Sequence, residues 1–135
     1  MVIEPLTMRE VQESEQLMLE WTGEEIPLNA VVSGWRLFVH GVELRSEQSL
    51  SGYQDALIMR DLMQRLIDEG GEVLSAWIKH TIADLDERLE KITRPIAKPI
   101  AAPDSSISPE GYWWRGRLPS EPADQLADEM RAQGW

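Results

Sequence analysis

A break in the helical pattern at Arg94 constrains the fold of this chain more than any other feature. Four prolines follow within fifteen residues: Pro95, Pro99, Pro103 and Pro109. Proline fixes its own φ and lacks the backbone N–H, so this stretch favours extended backbone and opposes a helix. We therefore divide the chain into an acidic helical core domain at 1–94, a proline-rich linker at 95–111 and an aromatic C-terminal arm at 112–135.

The C-terminal arm is rich in residues that need a surface to bury against. It begins with Tyr112, Trp113, Trp114 and Arg115 and ends in Trp135. A short helix is predicted from Ser120 as N-cap to about Ala132, and a helix of this length is marginal alone in water. The arm must therefore pack on the chain's own helices, on a second copy or on a partner. The residues that we assign to partner binding are Tyr112, Trp113, Trp114, Arg115, Arg117, Leu126, Met130 and Trp135.

Before Arg94, apolar residues recur at steps of three and four and predict helices at 7–21, 28–44, 51–69 and 72–93. Capping-box spacing at Thr7 and Glu10, and again at Ser51 and Gln54, marks two helix starts. Gly23 and the pair Gly70-Gly71 mark helix ends. The predicted fold is an all-α, four-helix core, arranged as a bundle or as two helical hairpins. Three tryptophans on apolar helical faces are predicted to lie in its core: Trp21, Trp35 and Trp77.

The segment 28–44 has two interpretations. The competing one is a β-hairpin, with strands at 35–39 and 42–44 and a turn at His40-Gly41. We favour the helix because seven apolar residues follow one another at helical steps, from Leu28 to Val42. On that helix, Gly34, Gly41 and Ala30 would allow a neighbouring helix to approach closely.

The chain is strongly acidic, with 24 acidic against 13 basic residues and a formal charge of −11. This charge argues against binding to a nucleic-acid backbone or to an anionic membrane, both of which require excess lysine and arginine. It favours encounter with basic partners. Seven glutamates and one arginine fall within 1–26. The acidic docking face that we predict there consists of Glu10, Glu13, Glu20, Glu24 and Glu25.

Length and composition limit the class of protein further. A chain of 135 residues has room for one core of modest size. It has no cysteine, which excludes disulfides and thiolate metal sites. No signal peptide and no run of ~20 apolar residues is visible, so we expect a cytoplasmic protein.

Catalytic motifs are weak. His80 and Asp84 lie one helical turn apart, yet a metal site would need His40 or another group to complete it. Glu10/Glu13, Asp84/Glu87 and Glu87/Glu90 have the spacing by which helical nucleotide hydrolases hold magnesium, but such pairs arise by chance in so acidic a chain. Neither a nucleophile elbow nor a phosphate-binding loop is present. We therefore predict no catalysis, no metal site and no cofactor.

Three functions remain as hypotheses. The first is a non-catalytic interaction protein, such as an adaptor, assembly chaperone or inhibitor, with the aromatic arm as its anchor. The second is an acidic immunity protein, antitoxin or nucleic-acid mimic that neutralises a basic partner. The third is a metal-dependent nucleotide hydrolase. A homodimer through the arm or through the helix at 72–93 is a further mode of association that the sequence leaves open.

Overall fold

A computed structural model describes residues 5–100 and 112–135, and the prediction of an all-α fold is confirmed within these ranges. In these two ranges, two three-residue strands and a 3₁₀ turn at Trp113–Gly116 accompany five α-helices. The helices are α1 Met8–Thr22, α2 Leu28–Glu43, α3 Leu50–Glu69, α4 Glu72–Ile92 and α5 Asp124–Ala132. The strands are β1 Thr93–Pro95 and β2 Arg117–Pro119.

The first four helices pack together around one hydrophobic core. α2 contacts both α3 and α4, α3 packs on α4, and α1 lies against α2 and α3. Trp35 is fully buried at the centre, as predicted, whereas Trp21 and Trp77 are half-buried at its margin. None of the helices in the described ranges combines the length and the apolar character that crossing a bilayer requires.

α1 is bounded by the local signals that the sequence indicates. Thr7 Oγ1 accepts a hydrogen bond from the Glu10 N–H at 3.2 Å, and Glu10 Oε1 accepts one from the Thr7 N–H at 2.8 Å. This capping box lowers the pKa of Glu10, because both bonds to Thr7 favour its ionised form. The helix ends at Gly23, whose φ of 76° is a conformation that glycine adopts without strain.

The segment 28–44 forms a helix, α2, as predicted, and the alternative of a β-hairpin is wrong. A Cβ atom on Gly34 would lie 2.9 Å from the Cε of Met59 on α3, so the missing side chain allows the close approach that we predict. Gly41 and Ala30 do not take part: the nearest atom to a Cβ on Gly41 is 4.0 Å away in Ser46, and Ala30 is exposed.

The predicted N-cap of the third helix, Ser51, is wrong. α3 is capped by Ser49, whose Oγ accepts from the Gly52 N–H at 2.9 Å. Ser51 lies inside the helix and is exposed. The N-cap is two residues earlier in the chain than predicted, because Leu50 is buried as the first residue of the helix.

The last helix starts at Asp124, with Ala123 as its N-cap, rather than after Ser120. The reason is that Ser120 continues the strand pairing, with its N–H donating to the Ile92 carbonyl at 3.0 Å. β1 and β2 pair antiparallel in a register that places Thr93 opposite Pro119. Neither strand is predicted, because three residues are too few to show an alternating pattern.

Candidate functional site

The C-terminal arm is folded back onto the chain's own helices. Four of its predicted partner-binding residues are buried, with no more than 3% of their surface exposed: Trp114, Arg115, Leu126 and Met130. The other four are half-buried: Tyr112, Trp113, Arg117 and Trp135. In this conformation the aromatic and apolar side chains therefore complete the core, and the buried four offer no surface to a partner.

A buried carboxylate on α3, Asp61, holds the arm in place. The indole Nε1–H of Trp114 donates to Asp61 Oδ1 at 2.8 Å, and Arg115 Nε donates to the same oxygen at 3.2 Å. Arg115 Nη2 also forms an ion pair with Asp61 Oδ2. The side chains of Arg115 and Asp61 are 0% and 5% exposed, so little water screens their attraction.

A second carboxylate, Asp86 on α4, extends the arrangement across the bundle. It accepts from Arg60 Nη2 of α3 at 2.9 Å and from the Trp35 indole of α2 at 3.0 Å. The guanidinium carbon of Arg60 lies 4.1 Å from the ring centroid of Trp114, a cation–π distance. We call the six side chains together the buried ionic cluster: Trp35, Arg60, Asp61, Asp86, Trp114 and Arg115.

The buried ionic cluster is fully satisfied. Within the described ranges, every buried side-chain nitrogen or oxygen has a hydrogen-bond partner. Such a cluster contributes little net stability relative to a well-packed apolar core, but removing one member leaves a buried charge unpaired. It therefore favours one docked position of the arm, in which Trp114 and Arg115 both contact Asp61.

Sequence reasoning missed the partners of the arm on α3 and α4. The available signal was Arg60-Asp61, two adjacent charges within an otherwise apolar stretch from Leu57 to Met63. Asp61 falls one turn after Leu57, which points it to the buried side of the helix. A charge at such a position needs a partner of opposite sign.

Backbone hydrogen bonds fix the course of the arm beside α4. The Ile96 and Ile100 N–H groups donate to the carbonyls of Gly116 and Arg115, at 2.9 and 2.7 Å. Arg117 donates through Nη2 to the Thr93 carbonyl at 2.7 Å. Its own carbonyl accepts from the Tyr53 hydroxyl at 3.2 Å, and burial raises the pKa of that phenol. The arm is thus attached by main chain as well as by side chains.

A glutamate on α5 caps α3 across 79 residues of sequence. Glu129 Oε2 accepts from the Leu50 N–H at 2.8 Å, and its Oε1 accepts from Gln125 at 3.0 Å.

Replacing Glu129 with alanine is expected to lower the free energy of unfolding by about 1–2 kcal/mol, since the Leu50 N–H at the start of α3 loses its acceptor. Chemical denaturation measures this loss. Glu129→Gln, which keeps an accepting oxygen, is the matched control and should recover most of the stability.

Four of the five predicted acidic docking residues are exposed: Glu13, Glu20, Glu24 and Glu25. The fifth, Glu10, is half-buried and serves in the capping box. Residues 5–26 carry six glutamates and one arginine, Arg9, which pairs with Glu13 at 3.0 Å with both side chains mostly exposed. Glu13 and Glu20 lie seven residues apart and hence on the same side of α1. The exposed surface of residues 5–26 therefore carries more negative than positive charge.

The candidate metal ligands do not converge. Across residues 5–100 and 112–135, no three histidine, aspartate or glutamate side chains are grouped so that they could hold a metal ion. The paired acids of α4 form surface ion pairs instead, Asp84 with Arg88 at 3.3 Å and Glu87 with Lys91 at 3.1 Å.

Comparisons of this chain with models of protein families, with curated proteins and with solved structures find no match.

Proposed function

We propose that this protein is a non-catalytic binding module that neutralises a basic protein partner through the outer side of α1 and the loop that follows it. The observation that carries the proposal is the charge imbalance of residues 5–26, where six glutamates face one arginine and four of the glutamates are exposed. An immunity protein, an antitoxin or a nucleic-acid mimic of the cytoplasm would act in this way.

The position of the aromatic arm supports this choice over an arm-anchored adaptor. For the arm to insert Trp114 into a partner, the indole would have to leave Asp61 and Arg115 would have to leave a site where it is 0% exposed. Leaving Asp61 buried and unpaired is costly. Glu13, Glu20, Glu24 and Glu25 need no such rearrangement, because they are already exposed.

Electrostatic attraction of this kind makes specific demands on the partner. Exposed carboxylates raise the association rate with a basic surface, and this effect falls as salt screens charges beyond ~8–10 Å. The partner should therefore present lysine and arginine side chains spaced along a surface that matches one helix face.

A charge-removal experiment tests the proposal. The probe is a lysine- and arginine-rich peptide, titrated calorimetrically at low and at physiological salt. We expect the triple variant Glu13→Gln, Glu20→Gln, Glu24→Gln to bind about tenfold more weakly, since several attractive charges are lost together. Binding to the unmodified protein should weaken steeply as salt rises.

The matched control removes three exposed acids elsewhere, Glu47→Gln, Asp55→Asn and Asp124→Asn, so that the net charge changes equally. It should change the affinity by less than about threefold, the effect of net charge alone. Equal weakening by both triple variants, or binding that is insensitive to salt, would contradict the proposal.

A further inference from the structure

A cleft opens between α1 and the loop that leads to α2. Its volume is about 440 Å³. Its lining combines two carboxylates, two amides and three apolar side chains: Gln12, Glu15, Gln16, Leu19, Glu25, Ile26 and Pro27. It lies beside the exposed stripe of Glu13 and Glu20 but is not part of it, because Glu15 and Leu19 are on a different side of α1.

Glu15 has a fixed position in this cleft. Its Oε2 accepts from the Leu28 N–H at 2.9 Å, which supplies the first turn of α2 with an acceptor that Pro27, as N-cap, lacks. In the described ranges Glu15 forms no ion pair, and Glu25, which also lines the cleft, is exposed and forms none either. Two carboxylates without a counter-charge therefore border one cavity, and one of them is held by the backbone.

We infer that this cleft is the socket for one lysine or arginine side chain of the basic partner. The aliphatic stem of such a side chain would pack on Leu19, Ile26 and Pro27, as long basic side chains do on apolar surface. The cationic head would reach the carboxylates of Glu15 and Glu25 and form charge-assisted hydrogen bonds. This inference rests on the proposed function, and it names the part of the surface that selects the partner.

The charge and shape of the cleft favour a basic side chain over other occupants. An anionic group would meet two carboxylates, and a phenylalanine or aliphatic side chain would bury them without a hydrogen-bond donor. A guanidinium or an ammonium group on an apolar stem satisfies both parts of the lining. The side-chain amide oxygens of Gln12 and Gln16 in the lining add acceptors for its remaining N–H groups.

The test compares two double variants in the full-length protein, with the same lysine- and arginine-rich peptide as probe. Glu15→Gln with Glu25→Gln removes the charge of the cleft while the glutamine at 15 still offers an oxygen to the Leu28 N–H. Glu13→Gln with Glu20→Gln removes the same charge from the stripe beside it. We expect the cleft variant to bind about tenfold more weakly and the stripe variant about threefold more weakly.

A second measurement locates the bound side chain directly. NMR signals of the Leu19 and Ile26 methyl groups should shift on addition of the peptide, and a peptide with every basic residue replaced by a neutral one should shift neither. If Glu15→Gln impairs folding, the binding measurement is repeated with Glu25→Gln alone, because Glu25 caps no helix.

The outcomes separate this inference from the proposed function. Equal, small losses in both double variants with no methyl shifts would overturn the socket and leave the proposed function intact. No loss of binding in either variant would overturn both. A clearly larger loss in the cleft variant than in the stripe variant, with the methyl shifts, supports the socket.

Discussion

Replacing Arg115 with alanine is expected to lower the free energy of unfolding by about 3–5 kcal/mol, because it leaves the Asp61 carboxylate buried without its ion-pair partner. The two side chains are 0% and 5% exposed, so water cannot replace the guanidinium. Of the side chains that donate to Asp61 in the described ranges, only the indole of Trp114 would remain. Urea denaturation followed by circular dichroism measures the loss.

The matched control is Arg131→Ala. Arg131 also forms an ion pair with an aspartate, Asp128, but the two side chains are 71% and 69% exposed. Its loss should change the free energy of unfolding by less than about 0.5 kcal/mol, since exposed ion pairs contribute little. If Arg115→Ala costs no more than Arg131→Ala, the arm is not held by Asp61 in solution.

A double variant distinguishes the lost charge from lost packing. Asp61→Asn in an Arg115→Met background removes both charges and keeps an oxygen to accept from the Trp114 indole. A buried ion pair can often be replaced by well-packed hydrophobic residues at little cost, and this double variant leaves neither charge of the pair buried without its partner. We therefore expect this double variant to recover most of the stability that Arg115→Ala loses.

Ending the chain at Ile100 is expected to abolish cooperative unfolding. The truncation removes four buried apolar side chains from the core: Trp114, Leu118, Leu126 and Met130. Each large-to-small change in a core costs about 2–5 kcal/mol, and a whole domain is stable by only about 5–15 kcal/mol. The truncation also leaves Asp61 and the Leu50 N–H without their partners from the arm.

Near-UV circular dichroism and a urea titration of the truncated chain test this expectation. A chain that ends at Arg131 is the control, because it loses three exposed residues and the half-buried Trp135 alone. We expect the control to unfold cooperatively. A cooperative transition of the chain 1–100, with a midpoint near that of the full-length protein, would show instead that the arm is separable.

The helical core could be predicted because its signals are local. Periodic apolar residues define α1 to α4 to within one residue at most ends, and the capping box at Thr7 is confirmed in detail. The close approach at Gly34 also follows from the sequence, although its neighbour Met59 does not. Position along a helix determines these features, so one sequence contains them.

The docking of the arm could not be predicted in the same way. β1 and β2 are too short to alternate, and their pairing joins residues that are about 24 positions apart. Whether Arg60 and Asp61 face water or the core depends on which elements α3 packs against. The pattern of apolar residues along α3 does not predict those elements. The proline pattern after Arg94 indicates a break in the helices, and the segment 101–111 with Pro103 and Pro109 lies outside the described residues.

The exposure of Glu13, Glu20, Glu24 and Glu25 follows from their place opposite the apolar side of α1 and in the loop after it. Their role in binding stays a prediction. So does the role of the arm, but burial of Trp114 and Arg115 in the chain's own core changes the experiment that its sequence suggests. Substituting these residues would test folding before it tested a partner.

Hydrogen exchange of the Trp114 indole Nε1–H tests most directly whether the arm belongs to the chain's own core. This proton is donated to Asp61 at 2.8 Å in a buried site, so its exchange requires the arm to leave. We predict protection close to the free energy of global unfolding, unchanged when the protein is diluted. Exchange at the rate of a free indole would contradict this, as would protection that disappears on dilution, which would place the arm on a second copy.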